Sequence, residues 1–262
     1  MIKPTVIKIG GATLGSHDTA LADIVEIQKR GIPLVVVHGG AKVVTRWLER
    51  QSISTRFIDG ERVTDESALE MVAAVLGGLV NKEIVAAIND LGGEAVGISG
   101  IDGALIQSRI RNRKMGYTGN VVRVNTGILD TLLSSGYLPV ISPISSHTLE
   151  RPEDTPPMLN INGDTVAGEI AAATSAERLI FLTDVGGIND SSGRHIPNMI
   201  ASEAEELLAS GVASRGMVPK VKACLKAISN GFTTCVIMDG RKEHNLVKEF
   251  DGTGSGTRIK AA

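Results

Sequence analysis

At 262 residues the chain is long enough for one large or two closely packed domains around a substantial core. A net charge of −2 gives no global electrostatic reason to bind nucleic acid, and 3% aromatic residues against 30 glycines leaves Ile, Val, Leu and Ala to fill the interior. Such a composition suits buried parallel strands covered by helices, and so an α/β protein. Cys224 and Cys235 fall on apolar stretches and read as core thiols, not as a disulfide or a metal pair. No apolar run reads as long enough to span a membrane, and the first strand begins too near Met1 for a leader peptide, so a cytoplasmic location is expected.

Thr5 to Ile9 is a strand-length apolar run broken by Lys8 and closed by Gly10 and Gly11. A buried ammonium is costly without an anion, and at the carboxyl end of a strand in an open α/β sheet that anion is usually a ligand. The glycines let backbone N–H groups approach it closely, so Lys8, Gly10 and Gly11 read as a phosphate-handling corner. The other reading is a lysine snorkelling off an edge strand beside an ordinary Gly-Gly turn. Asp18 to Arg30 carries helical spacing and stops at Gly31. Ile32 to Val37 is a second strand, ending in His38-Gly39-Gly40-Ala41 before a helix over 42–50. A right-handed crossover places both glycine turns at one sheet edge, within reach of one ligand. His38 reads as a structural hydrogen-bonding residue with no chemistry assigned.

Phe57 to Val63 is a short excursion before a helix start at Thr64-Asp65-Glu66. Arg62, just ahead of it, is either a surface arginine or a guanidinium offered to a carboxylate. The helix runs from Glu66 to Leu91 with Gly77-Gly78 inside, which weakens it unless something packs there. A strand over 95–99 leads to two alternating segments within 105–124, a β-hairpin expected to project from the sheet. Its cluster of Arg109, Arg111, Arg113 and Lys114 is either a solvated face or attracts an acidic substrate or partner. A helix over 128–135, a strand over 138–142 and a proline-rich loop over 151–157 follow. In Met158 to Asp164, strand alternation places Asn160, Asn162 and Asp164 on one face, amides for a substrate and a carboxylate for neighbouring ammonium groups; the plainer reading is an Asn-rich turn.

Thr165 to Thr174 reads as a small-residue helix, and Leu179 to Val185 as a strand entering the turn Thr183-Asp184-Val185-Gly186-Gly187-Ile188. Ser202 and Glu205 suggest a capping box for a helix ending at Ser210. Gly216-Met217-Val218-Pro219-Lys220 opens another helix, whose N-terminus and lysine together favour strongly charged phosphates. Thr234 to Met238 is the last long strand, and Gly252 to Gly256 precedes Thr257-Arg258-Ile259. Isolated lysines, glycine turns, paired asparagines and an aspartate suit phosphoryl transfer, which is chiefly positioning and charge neutralisation. The P-loop and GxGxxG patterns are absent, and no Cys/His cluster offers a transition-metal site.

In order, Ile7-Lys8-Ile9-Gly10-Gly11, Val37-His38-Gly39-Gly40, Gly60-Glu61-Arg62-Val63-Thr64, Asn160-Ile161-Asn162-Gly163-Asp164, Leu182 to Ile188 and Gly216 to Lys220 resemble the amino acid kinase family from Lys8 to Arg258. Within it the likeness is to members that phosphorylate the γ-carboxylate of N-acetyl-L-glutamate with ATP and Mg2+, in arginine biosynthesis. The resemblance implies a three-layer αβα sandwich with a mainly parallel central sheet. Residues 1–175 would form the acyl-amino-acid lobe and 176–262 the ATP lobe. It implies that Lys8 and Lys220 stabilise the moving phosphoryl group and that Asp164 organises both. Gly10, Gly11, Gly39 and Gly40 would supply N–H groups; Arg62, Asn160 and Asn162 would hold the substrate; and Thr183, Asp184, Val185, Gly186, Gly187, Ile188 and Met217 would border the nucleotide.

Ala41 and Gly163 depart from the family's usual glycine and alanine. Gly163, the Tyr117-Thr118-Gly119 hairpin and the basic cluster also resemble relatives acting on aminoadipate or glutamate attached to an acidic carrier protein, whereas Asn160 and Asn162 together favour the free acetylated substrate. With only Met1 to Pro4 before the first strand, the resemblance implies an arginine-insensitive homodimer. A catalytically silent nucleotide or amino-acid sensor is the contrasting reading, and joint retention of Lys8, Asp164 and Lys220 argues against it.

Overall fold

The computed structural model describes residues 2–11, 19–58, 60–211, 216–229 and 234–261; the expected helix start at Asp18 lies outside them. β1 (Thr5–Ile9) is followed by α1 (Ala20–Lys29), β2 (Leu34–His38) and α2 (Ala41–Arg50), then by a short ribbon of β3 (Arg56–Ile58) and β4 (Glu61–Val63). α3 (Glu66–Ala73) passes through a π-helical segment, Ala74–Val80, into α4 (Asn81–Asp90). Next come β5 (Ala95–Gly100), β6 (Ile106–Ile110), β7 (Gly119–Val124), α5 (Gly127–Ser134), β8 (Leu138–His147), β9 (Met158–Asn160) and α6 (Gly163–Thr174). The remainder is β10 (Arg178–Thr183), β11 (Ile188–Asn189), β12 (His195–Ile196), β13 (Asn198–Ile200), α7 (Ala201–Ala209), α8 (Val218–Ser229), β14 (Thr234–Asp239), α9 (Asn245–Phe250) and β15 (Thr257–Lys260).

One eleven-stranded sheet runs in the order β13-β15-β14-β10-β1-β2-β8-β6-β7, with β5 and β9 also on β8. β14, β10, β1, β2 and β8 are mutually parallel neighbours, while β15 against β14 and β7 against β6 are antiparallel. Strand alternation divides the apolar residues between two cores. Val6, Val35, Val37, Leu179 and Phe181 pack under α5 to α8; Ile7, Ile9, Leu34, Val36 and Ile180 pack under α1 to α4 and α9. Each fully buried Ile, Val or Leu here contributes roughly 1.5–3 kcal/mol, which is how a chain so poor in aromatics holds a wide sheet. The expected αβα sandwich is therefore present.

Four expectations need correction. The 105–124 hairpin is not a projection: β6 pairs with β8, so the ribbon is one edge of the sheet. The helix after β13 begins at Ala201, and Glu203, not Glu205, caps it by accepting the Ile200 N–H at 2.8 Å; Ser202 and Glu205 lie two residues too far along. The 66–90 stretch is 25 residues long with a mean hydropathy of 1.7 in its most apolar window, enough to cross a membrane by length and composition. Here it lies on the sheet, burying Val72, Val75, Leu76, Val80, Ile84 and Ile88. Its Gly77-Gly78 pair falls in the π segment, where the helix widens. Finally, the alternation from Asn160 ends where β9 ends: Asn162 is the N-cap of α6 and Asp164 stands in its first turn.

Gly116, at the tip between β6 and β7, clamps that edge to the start of the long helix. Tyr117 N–H donates to the Thr64 carbonyl at 2.6 Å and Thr64 N–H to Met115 at 3.1 Å. Its φ is +62°, and an added Cβ would lie 2.2 Å from the Thr64 oxygen. Gly116→Ala is expected to destabilise by about 2 kcal/mol or more, from positive-φ strain plus the lost clamp, read as a lower urea midpoint at unchanged m.

Candidate active site

The carboxyl ends of β1, β2 and β10 meet the N-termini of α2, α6 and α8 around a cavity of about 470 Å3. Lys8, in β1, is sent by strand alternation to the α6 and α8 side. Its Nζ lies 2.8 Å from Asp164 Oδ1, while Lys220 Nζ, from the first turn of α8, lies 3.0 Å from Oδ2. Lys220 also donates to the Gly216 carbonyl at 3.1 Å. The Lys8 approach is ionic and not aligned as a hydrogen bond, whereas Lys220 makes a true one. Burial pushes the Asp164 carboxyl up, but the Lys8 and Lys220 charges and contacts outweigh it and hold it below the usual carboxylate range. The N-terminus of α6 favours the same ionised form. Two ammonium groups thus share one carboxylate, leaving net positive charge at the cavity floor.

The glycine turns meet as the topology predicts: an added Cβ on Gly11 would lie 3.5 Å from Gly40 N. Not all four supply N–H groups. Gly10 N–H donates to Leu182 O at 2.9 Å and Gly39 N–H to Ile9 O at 3.0 Å, continuing the sheet. Those of Gly11 and Gly40 donate to nothing among the described residues and remain for a ligand.

Arg62, at the centre of β4, is not a surface residue; only 8% of it is exposed. Its guanidinium stacks on Phe57 with 4.7 Å to the ring centre, and its Nη2 donates to the Ala41 carbonyl at 3.0 Å and Thr45 Oγ1 at 2.7 Å. Nη1 is buried without a partner, and burial lowers the group's pKa. Asn160 Nδ2 donates to Thr64 Oγ1 at 3.0 Å, while Asn162 Oδ1 accepts from Asp164 N–H and Thr165 N–H at 2.8 and 3.3 Å. Asn162 therefore has only its NH2 group for a ligand.

Thr183 and Asp184 line the cavity; Val185, Gly186, Gly187, Ile188 and Met217 do not. Val185 is 43% exposed, and Ile188 and Met217 are core side chains. Thr118, read from sequence only as part of the hairpin motif, donates its hydroxyl to the Arg62 carbonyl at 3.0 Å, and Phe57, Leu76 and Pro143, to which the sequence reading gave no place in the site, stand in the cavity wall. A lone threonine or leucine carries no sequence signal of such a place. Of the basic cluster, Arg111 is paired with Glu61 at 2.7 Å, tying β4 to the sheet edge. Cys224 and Cys235 are buried free thiols, as expected.

His38 closes β2 beneath the glycine turn. Burial pulls its pKa down to about 4, opposed by its bond to the Gly39 carbonyl and helped by the charge on Lys8. The unfolded chain, titrating near 6.5, takes up this proton first. Stability is therefore expected to fall by ~3 kcal/mol as pH drops from about 6.5 to about 4. Urea unfolding across that range should show the loss, and His38→Gln should remove that share of it; an identical pH slope in the variant would assign it to other groups.

A parallel sheet covered on both faces, with cations and free backbone donors gathered at its carboxyl edge, defines a class of α/β enzyme that handles anionic groups. The profile of the Amino acid kinase family matches residues 3–239, and the chain belongs to that family. It is 50% identical over 254 residues to the acetylglutamate kinase of Dehalococcoides mccartyi strain CBDB1, covering 97% of this chain and 93% of that protein. Among solved structures, smu.665 from Streptococcus mutans UA159 superposes with a TM-score of 0.84 at 25% identity, over the whole of both chains. N-acetylglutamate synthase from Neisseria gonorrhoeae, complexed with coenzyme A and N-acetyl-glutamate, gives 0.84 at 25% identity over 99% of this chain and 60% of its own.

Proposed function

We propose that the protein transfers the γ-phosphoryl group of ATP to the γ-carboxylate of N-acetyl-L-glutamate, giving N-acetyl-L-glutamyl 5-phosphate and ADP. The observation that carries this reading is a single cavity holding two lysines on one shared carboxylate opposite a buried guanidinium with an unpartnered nitrogen. The carboxylate oxygen attacks the γ-phosphorus as the bond to the β-phosphate oxygen breaks. Charge then spreads over the transferred group, and Lys8 and Lys220 offset it while Asp164 keeps both in place. The Gly11 and Gly40 N–H groups are fixed donors beside it. Arg62 Nη1 receives the substrate's α-carboxylate, and the Asn160 side chain and the Asn162 NH2 its acetamido group. The nucleotide lies along Thr183 and Asp184.

Among the described residues no group of three or more His, Cys, Asp or Glu could hold a metal, and Asp164 is engaged by lysines. That donor set suits Mg2+ arriving on the nucleotide's phosphates, with Asp184 as the carboxylate at the cavity wall that forms no salt bridge with a lysine or arginine among the described residues. When bound, the ion offsets phosphate charge. In this reading residues 1–175 hold the acceptor, 176–262 hold the nucleotide, and the protein is a homodimer. A hexameric mass by light scattering would overturn the last point.

Hydroxylamine trapping tests the reaction and acceptor together. With Mg·ATP, a hydroxamate is expected from N-acetyl-L-glutamate and not from glutamate, N-acetylaspartate or 2-aminoadipate. No product with any free acid would reject this acceptor and turn attention to glutamate or aminoadipate carried on an acidic protein.

A further inference from the structure

The inference concerns His38 and rests on the phosphoryl-transfer reading. His38 is fully buried at the end of β2, on the opposite side of the sheet from Lys8. Its Nδ1 lies 2.7 Å from the Gly39 carbonyl oxygen and its Nε2 lies 3.2 Å from Asn81 Nδ2. The same Asn81 nitrogen is 2.9 Å from the Val140 carbonyl and, more distantly, 3.4 Å from that of Ile98, and Asn81 Oδ1 accepts from Lys82 Nζ at 3.1 Å. A carbonyl can only accept, so His38 Nδ1 must carry the proton, and the Asn81 nitrogen must donate to Nε2. The ring is held as one neutral tautomer.

What this achieves follows from the peptide that comes next. In a trans peptide the C=O and the following N–H point in opposite directions, and the described chain has no cis bond. Drawing the Gly39 oxygen onto the imidazole therefore turns the Gly40 N–H away from the ring. Gly40 lines the cavity and its N–H donates to nothing among the described residues. Without side chains to resist it, a Gly-Gly peptide flips readily, so an external hold on its orientation matters. We propose that His38 is a positioning residue: its Nδ1–H fixes the Gly39–Gly40 peptide so that the Gly40 N–H faces the reacting anion, and Asn81 holds the imidazole in the tautomer that permits this.

The test pairs two substitutions with a spectrum of the wild type. The asparagine in His38→Asn places an amide N–H where Nδ1 stood, whereas the glutamine in His38→Gln replaces the Nε2 end and leaves Gly39 without its donor. Both lose part of the ring's packing, so both should melt lower. The kinetic expectation separates them: kcat within about 5-fold of wild type for His38→Asn and about 100-fold lower for His38→Gln, with nucleotide KM little changed in either. Equal kcat values in the two variants would reduce His38 to packing and overturn the proposal. Should neither variant fold, the imidazole 15N shifts of the wild-type enzyme decide. A protonated Nδ1 and bare Nε2 are expected, and the reverse tautomer would overturn the proposal. A wild type that makes no hydroxamate would instead count against the acceptor assignment, with the nitrogen spectrum still deciding this one.

Discussion

Lys8→Met is expected to lower kcat by about 10³ while leaving the protein folded. The reason for the split lies in how the two lysines share Asp164. With Lys8 gone, Asp164 keeps its 3.0 Å bond to Lys220, so no buried charge is orphaned, and methionine fills most of the stem's volume. What disappears is one of the two cations that face the phosphoryl oxygens. Removing the carboxylate has the opposite balance. Asp164→Ala leaves Lys8 and Lys220, whose side chains are 9% and 13% exposed, close together with nothing between them. That should cost about 3–5 kcal/mol of stability, as for a broken buried pair, along with turnover. Measuring ADP release and thermal unfolding on both variants checks the pattern. Unchanged ADP release in Lys8→Met would remove Lys8 from the reaction.

Arg62→Leu should raise the acceptor KM by about 100-fold, affect kcat less, and leave the melting temperature equal or higher. The unpartnered Nη1 is a charged donor buried without an acceptor, a cost of about 1–3 kcal/mol that only ligand relieves. Deleting it relieves the free protein and weakens the complex. The groups Nη2 leaves behind are cared for, since Thr45 Oγ1 already donates to the Ala41 carbonyl at 2.9 Å. Lysine is no substitute, because it cannot bond Ala41 and Thr45 and still present a second, forked donor. Acceptor titrations at saturating ATP would show it; a KM within two-fold of wild type would place the α-carboxylate elsewhere.

How far the sequence carried this reading depended on which signal was local. Lys8 in a β-branched run, the twin Gly-Gly turns and Lys220 beside Pro219 are each short-range patterns, and the fold brings them together as parallel topology requires. Asn162 misled because strand alternation and an N-cap place an asparagine at the same spacing; only the helix starting at Gly163 decides between them. The expected nucleotide border is divided by the fold for a similar reason: Thr183 and Asp184 reach the cavity, but the chain then turns so that Ile188 enters the core and its N–H bonds Thr257 Oγ1, a partner 69 residues distant. Arg62 could be read as surface or site with equal ease, since its burial comes from Phe57 and from α2, and neither leaves a mark on the arginine's own neighbours. Asn81 gave no signal at all, since beside Lys82 and Glu83 it reads as one more polar residue of a solvated helix turn.

The place of β1 in the sheet has a consequence for how the protein is made. One of its edges pairs with β2, which emerges soon after it; the other must wait for β10, with Thr5 opposite Arg178 and Ile9 opposite Leu182. During synthesis, then, the strand destined for the very centre spends most of translation as an open border of unsatisfied backbone groups flanked by Val6, Ile7 and Ile9. Such borders recruit strands from other nascent chains. Lys8 is the only charge on that border, and a charge on an open edge is a known deterrent to such recruitment. The same ammonium that is proposed to meet phosphate in the finished enzyme thus sits where a charge opposes such recruitment on the unfinished chain.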